Sequence, residues 1–109
     1  MAATLTLTPA QRAIYKQLLA AAKTIGPFTE DPKKTSIHLT RKSAFAGVAT
    51  RKDALQVTLK SATDIHSPRI VKRERASANR WHLEIRLDDP KQVDRELKAW
   101  LADAMELAT

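Results

Sequence analysis

Apolar residues recur at every third or fourth position near both ends of the chain, which is the spacing of a helix with one buried face. At the first of these segments, Thr8-Pro9-Ala10-Gln11 combines a capping threonine, a proline suited to the first helical turn and a glutamine that can bond back to the cap. Ile14, Leu18 and later apolar residues form the stripe, and Gly26-Pro27 ends it because proline cannot continue a helix. The pattern predicts a first helix at residues 9–25.

Asp89-Pro90-Lys91-Gln92 repeats these start signals before a second apolar stripe. The stripe contains Val93, Leu97, Trp100, Leu101 and Ala104, while charged residues occupy the opposite positions. The pattern predicts a second helix at residues 90–107.

Between the two helices, apolar residues alternate with polar ones, as expected of half-buried strands. The clearest alternation is that of Trp81, Leu83 and Ile85 with the polar residues between them. The predicted strands lie at about residues 36–40, 43–50, 54–60, 69–76 and 81–87. Gly47 marks either a bulge or a place where another group approaches the backbone closely.

The links between most of the predicted strands are short, which favours antiparallel hairpins over crossover connections. The predicted order is α-β-β-β-β-β-α, a single α+β domain over residues 1–109. One antiparallel sheet of about five strands is expected to be covered on one face by the two terminal helices. The second face and the edges of the sheet are then left uncovered.

The composition of the 109-residue chain removes several classes of protein. It has no cysteine, which excludes disulfide scaffolds, thiolate nucleophiles and cysteine-based zinc sites. No apolar run approaches the ~20 residues of a membrane-spanning helix. The N-terminal residues lack the basic and continuous apolar regions of a secretory leader, so we expect a cytoplasmic protein that does not associate with membranes.

Positive charge is concentrated in the middle of the chain. Residues 33–86 contain 13 basic and 4 acidic residues, a net charge of +9, whereas the flanks contain 6 basic and 8 acidic residues, a net charge of −2. A cationic segment of this kind attracts polyanions. The simpler explanation is that the overall charge of +7 keeps a small basic protein in solution.

Eight of these cations are the candidate anion-binding residues, because arginine and lysine donate hydrogen bonds to phosphate and strand ends can gather at one rim of a sheet. They are Lys34, Arg41, Arg51, Lys52, Arg69, Arg73, Arg75 and Arg80. The alternative is a scattered, solvated set that keeps an edge strand from pairing with other chains. Arg69, which follows Ser67-Pro68 at an expected strand start, either is structural or closes over a ligand at the rim.

His38, His82 and Arg86 fall on the polar phase of the predicted strands and are the candidates for a pocket on the uncovered face of the sheet. Two strand histidines and Glu84 are weak evidence for a metal, so no metal site is predicted. The tetrapeptide Asp64–Ser67 is too short to fold into a catalytic triad, and a chain with two glycines has no glycine-rich phosphate loop. No catalytic residue and no cofactor are predicted.

Several segments together resemble a known family. They are Lys33–Ile37, Arg41–Val48, Ser67–Arg69, Trp81–Leu87, Val93-Asp94 and Ala99–Leu101. From the first helix to the last, the chain resembles a bacterial family catalogued as domain of unknown function 5655, whose members occur alone and as C-terminal modules of larger proteins. The resemblance implies a family and its fold, and it implies no activity.

Three functions remain open. The first is a non-catalytic binding module for an anionic partner, either a nucleic acid backbone or a phosphorylated ligand; contact with bases is disfavoured because no predicted helix is mainly basic. The second is a protein-interaction or homodimerisation domain that uses the uncovered sheet face or the strand beginning at Arg69. An enzyme has the least support, since no nucleophile and base stand out.

Overall fold

The structure, a computed structural model, describes residues 7–52 and 54–108. Helix α1 spans Pro9–Ile25, and the strands are β1 (Thr29–Pro32), β2 (Ser36–Thr40), β3 (Ala44–Arg51), β4 (Ala54–Ser61), β5 (Ile70–Ser77) and β6 (Arg80–Leu87). A short 3-10 helix at Pro90–Gln92 precedes helix α2 at Arg95–Leu107. Asp53, which belongs to the predicted link between β3 and β4, lies outside the described residues.

The strands of the described residues form one antiparallel sheet in the order β1-β2-β3-β4-β6-β5. This confirms an α+β fold with one antiparallel sheet and two helices, but the sheet has six strands and the sequence predicted about five. The additional strand is β1, which pairs with β2 from Thr29 opposite Thr40 to Pro32 opposite Ile37. Its sequence, Thr-Glu-Asp-Pro, contains no apolar alternation, so the hydrophobic pattern cannot reveal it.

The second predicted helix is divided in two. Asp89 caps the 3-10 helix, whose last backbone bond runs from the N–H of Val93 to the carbonyl of Pro90. Asp94 then caps α2 separately, because its side chain accepts a hydrogen bond from the N–H of Leu97 at 3.0 Å. The continuous helix predicted at residues 90–107 is therefore interrupted at Val93, where the backbone leaves the helical region.

The core lies between one face of the sheet and the two helices. Ile14 and Leu18 of α1 and Leu97 and Leu101 of α2 are fully buried, as is Val57 in the middle of the sheet. Burial of such side chains supplies the main driving force for folding. Within the described residues, neither helix is both long enough and apolar enough to cross a bilayer.

Strand β3 contains a bulge, but not at the residue that the sequence pattern indicated. Leu39 of β2 lies opposite Ala46 whereas Thr40 lies opposite Ala44, so Phe45 is an extra residue in β3. Phe45 and Ala46 are both buried, as expected where a bulge interrupts the strict alternation of faces. The pairing is regular around Gly47, so the bulge considered at that residue lies instead at Phe45.

Two contacts fix the direction of both helices relative to the strands. The side-chain amide of Gln11 donates to the carbonyls of Arg51 and Ala54, at 2.6 and 3.2 Å, next to the hairpin between β3 and β4. The N–H of Lys42, between β2 and β3, donates to the carbonyl of Ala108 at 2.9 Å. We call the end of the sheet that holds Arg51 and Ala54 the upper end, and the end that holds Lys42 the lower end.

Candidate functional site

The face of the sheet opposite the helices, here the open face, has a floor of small residues. From its start to Ala49, β3 contributes Ala44, Gly47 and Ala49 to this face, because the bulge turns Phe45 and Ala46 toward the core. A side chain no larger than a methyl group leaves the peptide planes of the strand accessible to another molecule. The floor runs along β3 with taller side chains on either side.

The floor and its walls enclose a depression of about 320 Å³. We call it the open-face depression, and it is lined by Ser36, His38, Ala44, Phe45, Ala46, Gly47, Val48, Ala49, Thr58, Lys60 and His82. Its volume is at the low end of the ~300–1,000 Å³ typical of small-molecule sites. The depression therefore has room for a small ligand.

The register of the strands explains which polar side chains surround the floor. His38 of β2, Gly47 of β3 and Thr58 of β4 lie directly opposite one another. Lys60 lies two residues beyond Thr58 on β4 and is opposite His82 of β6. The walls thus carry two imidazole rings, the hydroxyls of Ser36 and Thr58, and one ammonium group around an apolar floor.

Among the described residues, the lysine or arginine side chain that lines the depression is that of Lys60. The ammonium of Lys60 donates to the hydroxyl of Ser43 at 3.2 Å and forms no ion pair within the described part of the chain. Glu84, which lies opposite Thr58 on β6, is 3.8 Å from the ammonium of Lys72 and is 17% exposed. Glu84 is therefore compensated by the edge strand. Two further carboxylates share this face by register: Asp31, opposite His38, pairs with Lys33, whereas Glu74, opposite His82, forms no ion pair among the described residues. Lys60 itself remains available to a ligand.

Nothing in the described parts of the protein requires glycine at position 47. Its backbone is not in the left-handed region that favours glycine, and a methyl group placed there would approach Cδ2 of His38 at 3.8 Å, an ordinary van der Waals contact. Glycine in the interior of a strand is destabilising by roughly 0.5–1 kcal/mol relative to alanine. The residue therefore costs stability and is explained by neither backbone nor packing.

His38 and His82 line one depression but are too far apart to share a metal ion. Three strand spacings separate β2 from β6, which amounts to roughly 14 Å at ~4.8 Å each. Metal–nitrogen bonds to histidine are about 2 Å long. The two rings can contact opposite sides of a ligand.

Three of the eight candidate anion-binding residues lie at the upper end of the sheet: Lys34, Arg51 and Lys52. Arg86, a candidate for the sheet-face pocket, lies at the same end. Lys34 follows β1, Arg51 ends β3 and is followed by Lys52, and Arg86 is near the end of β6. Nη2 of Arg86 lies 3.5 Å from the carbonyl of Lys52, while Nη1 of Arg51 donates to the carbonyl of Thr50 at 2.8 Å. Of the candidates for the sheet-face pocket, only Arg86 is outside the lining of the open-face depression.

Three more of these cations lie at the lower end: Arg41, Arg75 and Arg80. The guanidinium of Arg41 lies beside Gly26 at the C-terminus of α1, a position that favours positive charge. Cζ of Arg75 is 5.9 Å from the centroid of the Trp81 ring, and Arg80 donates to the carbonyl of Asn79 at 2.8 Å. The upper and lower groups are separated by the length of the strands.

Arg69 and Arg73 are engaged by carboxylates of the protein itself. Nη1 of Arg69 lies 2.9 Å from Asp94 and 3.1 Å from Glu96. Nε of Arg73 lies 2.8 Å from Oδ1 of Asp64, on the loop before β5. Since each guanidinium has a partner, these two residues are less available to an external anion than the sequence suggested.

Comparison with known proteins identifies the family. Residues 2–108 match the model of a family described as domain of unknown function (DUF5655). The chain belongs to this family. No curated protein and no solved structure matches the chain.

Sequence reasoning about this DUF5655 chain missed Lys60 as a site residue, although the signal was present. Lys60 shares the polar phase of β4 with Thr58, just as His38 and His82 occupy the polar phases of β2 and β6. Residues on the polar phase of neighbouring strands share a face. Combining the phases of three strands therefore indicates Lys60, whereas counting basic residues does not.

Proposed function

We propose that this DUF5655 domain is a non-catalytic binding module for an anionic partner, and that the partner is a phosphorylated small ligand held in the open-face depression. The observation that carries the proposal is Lys60, an ammonium without a carboxylate partner in the described residues, located between two histidines beside an apolar floor. Lysine and neutral or charged histidine all donate hydrogen bonds to phosphate oxygens.

The distribution of the other cations supports a small ligand over a nucleic acid. Extended nucleic acid binding depends on many phosphate contacts made by cations that share a surface. Here the upper and lower groups lie at opposite ends of the sheet, and Arg69 and Arg73 contact internal carboxylates. A depression of about 320 Å³ matches a compact anion better than a duplex.

Ser43 and Lys60 are 3.2 Å apart and have the residue types of a serine–lysine catalytic pair, but their surroundings favour binding. A lysine acts as a general base only when burial or a neighbouring cation lowers its affinity for a proton. The contact with Ser43 is solvent-exposed and therefore lacks the burial that such a base requires, so it suits an anion-binding role better than a catalytic one.

Isothermal titration of the full chain with ribose 5-phosphate at low salt tests the proposal. We expect binding that weakens as salt is added, at least a tenfold loss in Lys60→Gln, and no change in Lys98→Gln, whose exposed lysine lies on α2 away from the open face. Absence of binding by the unaltered chain, or equal affinity of the Lys60 variant, would overturn the proposal. A fluorescence titration with duplex DNA distinguishes the nucleic-acid version, in which DNA binds more tightly than ribose 5-phosphate.

Homodimerisation through an edge strand has weaker support. Edge strand β5 carries charged residues from Lys72 to Arg75, and its register shifts between Ile70 and Lys72 around the exposed Val71. Charged side chains and bulges are devices that prevent strands from pairing between molecules. Light scattering that detects a stable dimer at micromolar concentration would favour this second function.

A further inference from the structure

We infer that the ligand of the open-face depression is a mononucleotide-like phosphate, in which a flat ring lies on the floor at Gly47 while the phosphate contacts Lys60. This inference rests on the proposed function and adds the chemical class of the ligand. It is carried by the shape of the floor, by the unexplained glycine and by the position of the cation relative to both.

The floor has the shape that a flat ring needs. Along β3, the open face presents Ala44, Gly47 and Ala49, so its centre is bare peptide with one methyl group on either side. A planar ring gains dispersion contacts over its whole face only where no side chain stands up from the surface. A compact phosphate without a ring would leave most of this area without contacts.

Gly47 lies at the centre of this floor and its presence is explained by an approach from outside. A Cβ at this position meets His38 at 3.8 Å, and the backbone adopts a conformation open to any residue. Glycine in a strand where neither reason applies indicates a site at which another group approaches the backbone. Because His38 borders Gly47, its imidazole forms one edge of the area available to the ring.

The cation lies at a distance suited to a ligand with a spacer. Thr58 is directly opposite Gly47, and Lys60 lies two residues farther along β4, a displacement of roughly 7 Å at ~3.4 Å per residue. The ammonium, which donates to the hydroxyl of Ser43 next to the start of β3, is at the lower end of the floor and away from Gly47. A ring joined to its phosphate through a sugar can occupy both positions at once, with the sugar near the hydroxyl of Thr58.

Titration calorimetry with AMP, ribose 5-phosphate and inorganic phosphate tests the inference on the unaltered full chain. We expect AMP to bind at least tenfold more tightly than ribose 5-phosphate, and inorganic phosphate to bind no better than ribose 5-phosphate. Equal affinities for all three compounds would overturn the inference that a ring lies on the floor, but would leave the proposal of anion binding intact. Failure of ribose 5-phosphate to bind the unaltered chain would instead overturn the proposed function.

Substitution of Gly47 locates the ring. In Gly47→Val the affinity for AMP is expected to fall to that for ribose 5-phosphate, whose own affinity changes less than twofold. Gly47→Ala gives a smaller loss in the same direction, and Ala76→Val, on exposed strand β5 outside the depression, leaves all affinities unchanged. Valine has a high propensity for strands, so the fold should tolerate it. An NMR spectrum of the backbone amides verifies that each variant is folded. Undiminished AMP binding by folded Gly47→Val would show that the ring lies elsewhere and overturn the inference.

Discussion

Nη1 of Arg69 lies 2.9 Å from Oδ1 of Asp94, so one guanidinium joins the start of β5 to the residue that caps α2. Nη2 of the same side chain donates to the carbonyl of Gln92 at 2.6 Å, and its Cζ is 5.6 Å from the centroid of the Trp100 ring. Arg69 therefore connects an edge strand, a helix N-terminus and a half-buried aromatic ring. These contacts favour a structural role over closure on a ligand.

Replacement of Arg69 by glutamine is expected to lower the free energy of unfolding by about 1–2 kcal/mol, because charge-assisted hydrogen bonds are lost but solvent screens the partly exposed ion pairs. Urea denaturation measures the change. Arg95→Gln, at an exposed position on α2, is the matched control and should alter stability by less than about 0.5 kcal/mol. Equal losses in the two variants would contradict the structural role.

The pKa of Asp94 is lowered, first by the hydrogen bond from the N–H of Leu97 and then by Arg69. Its contribution to stability is present above the ordinary aspartate pKa of about 3.9 and is lost as the pH falls through the lower pKa of the folded state. Asp94→Asn should therefore reduce the loss of stability between pH 5 and pH 2. Urea denaturation across this range makes the comparison, and identical acid profiles for the two proteins would contradict the expectation.

The pKa of Tyr15 is raised by burial and by its hydrogen bond to Glu30, whose Oε1 accepts from the phenol at 2.6 Å. The folded state therefore favours the protonated phenol. This contribution is present below the ordinary tyrosine pKa of about 10 and is lost as the pH rises through the folded value. Unfolding at pH 8 and pH 11 should show a smaller alkaline loss in Tyr15→Phe. An ultraviolet titration in which Tyr15 ionises near pH 10 in the folded protein would contradict the assignment.

Gly47→Ala should raise the free energy of unfolding by roughly 0.5–1 kcal/mol, because alanine restricts the unfolded chain and its Cβ fits beside His38. Thermal and urea denaturation give the size of the effect, with Ala76→Val for comparison. A variant that is more stable but binds AMP less tightly would show that glycine at this position serves ligand binding and not folding. A destabilised variant would show instead that the strand itself requires glycine.

Much of the fold follows from local patterns in the sequence. The capping box of Thr8 and Gln11 begins α1 as predicted, since both of its hydrogen bonds form between residues three positions apart. The regular alternation at Trp81–Leu87 likewise corresponds to β6. β1 has no such pattern, because it is polar and its position depends on backbone pairing with β2.

The candidate site was less predictable because charged side chains form ion pairs with residues that are distant in the sequence. Arg69 and Asp94 are 25 residues apart, so composition alone counts Arg69 among the available cations. His38 and His82 were placed on the uncovered face from their phase, and both line the open-face depression. The depression itself depends on Phe45, whose extra position in β3 has no local signal other than a run of small residues.

The extra residue at Phe45 exchanges the two faces of the sheet for the residues of β3 that follow it. Were β3 paired regularly from Ala44 onward, Ala46 and Val48 would point to solvent and Gly47 would face the helices. Length changes in this strand should thus have unequal effects. Deletion of Ala46 lets Phe45 take its place opposite Leu39 and keeps the rest of the strand in phase, whereas deletion of Ala49 interchanges the two sides of the residues that follow it. A library of single-residue deletions scored for folding would show this asymmetry as a tolerant position close to an intolerant one.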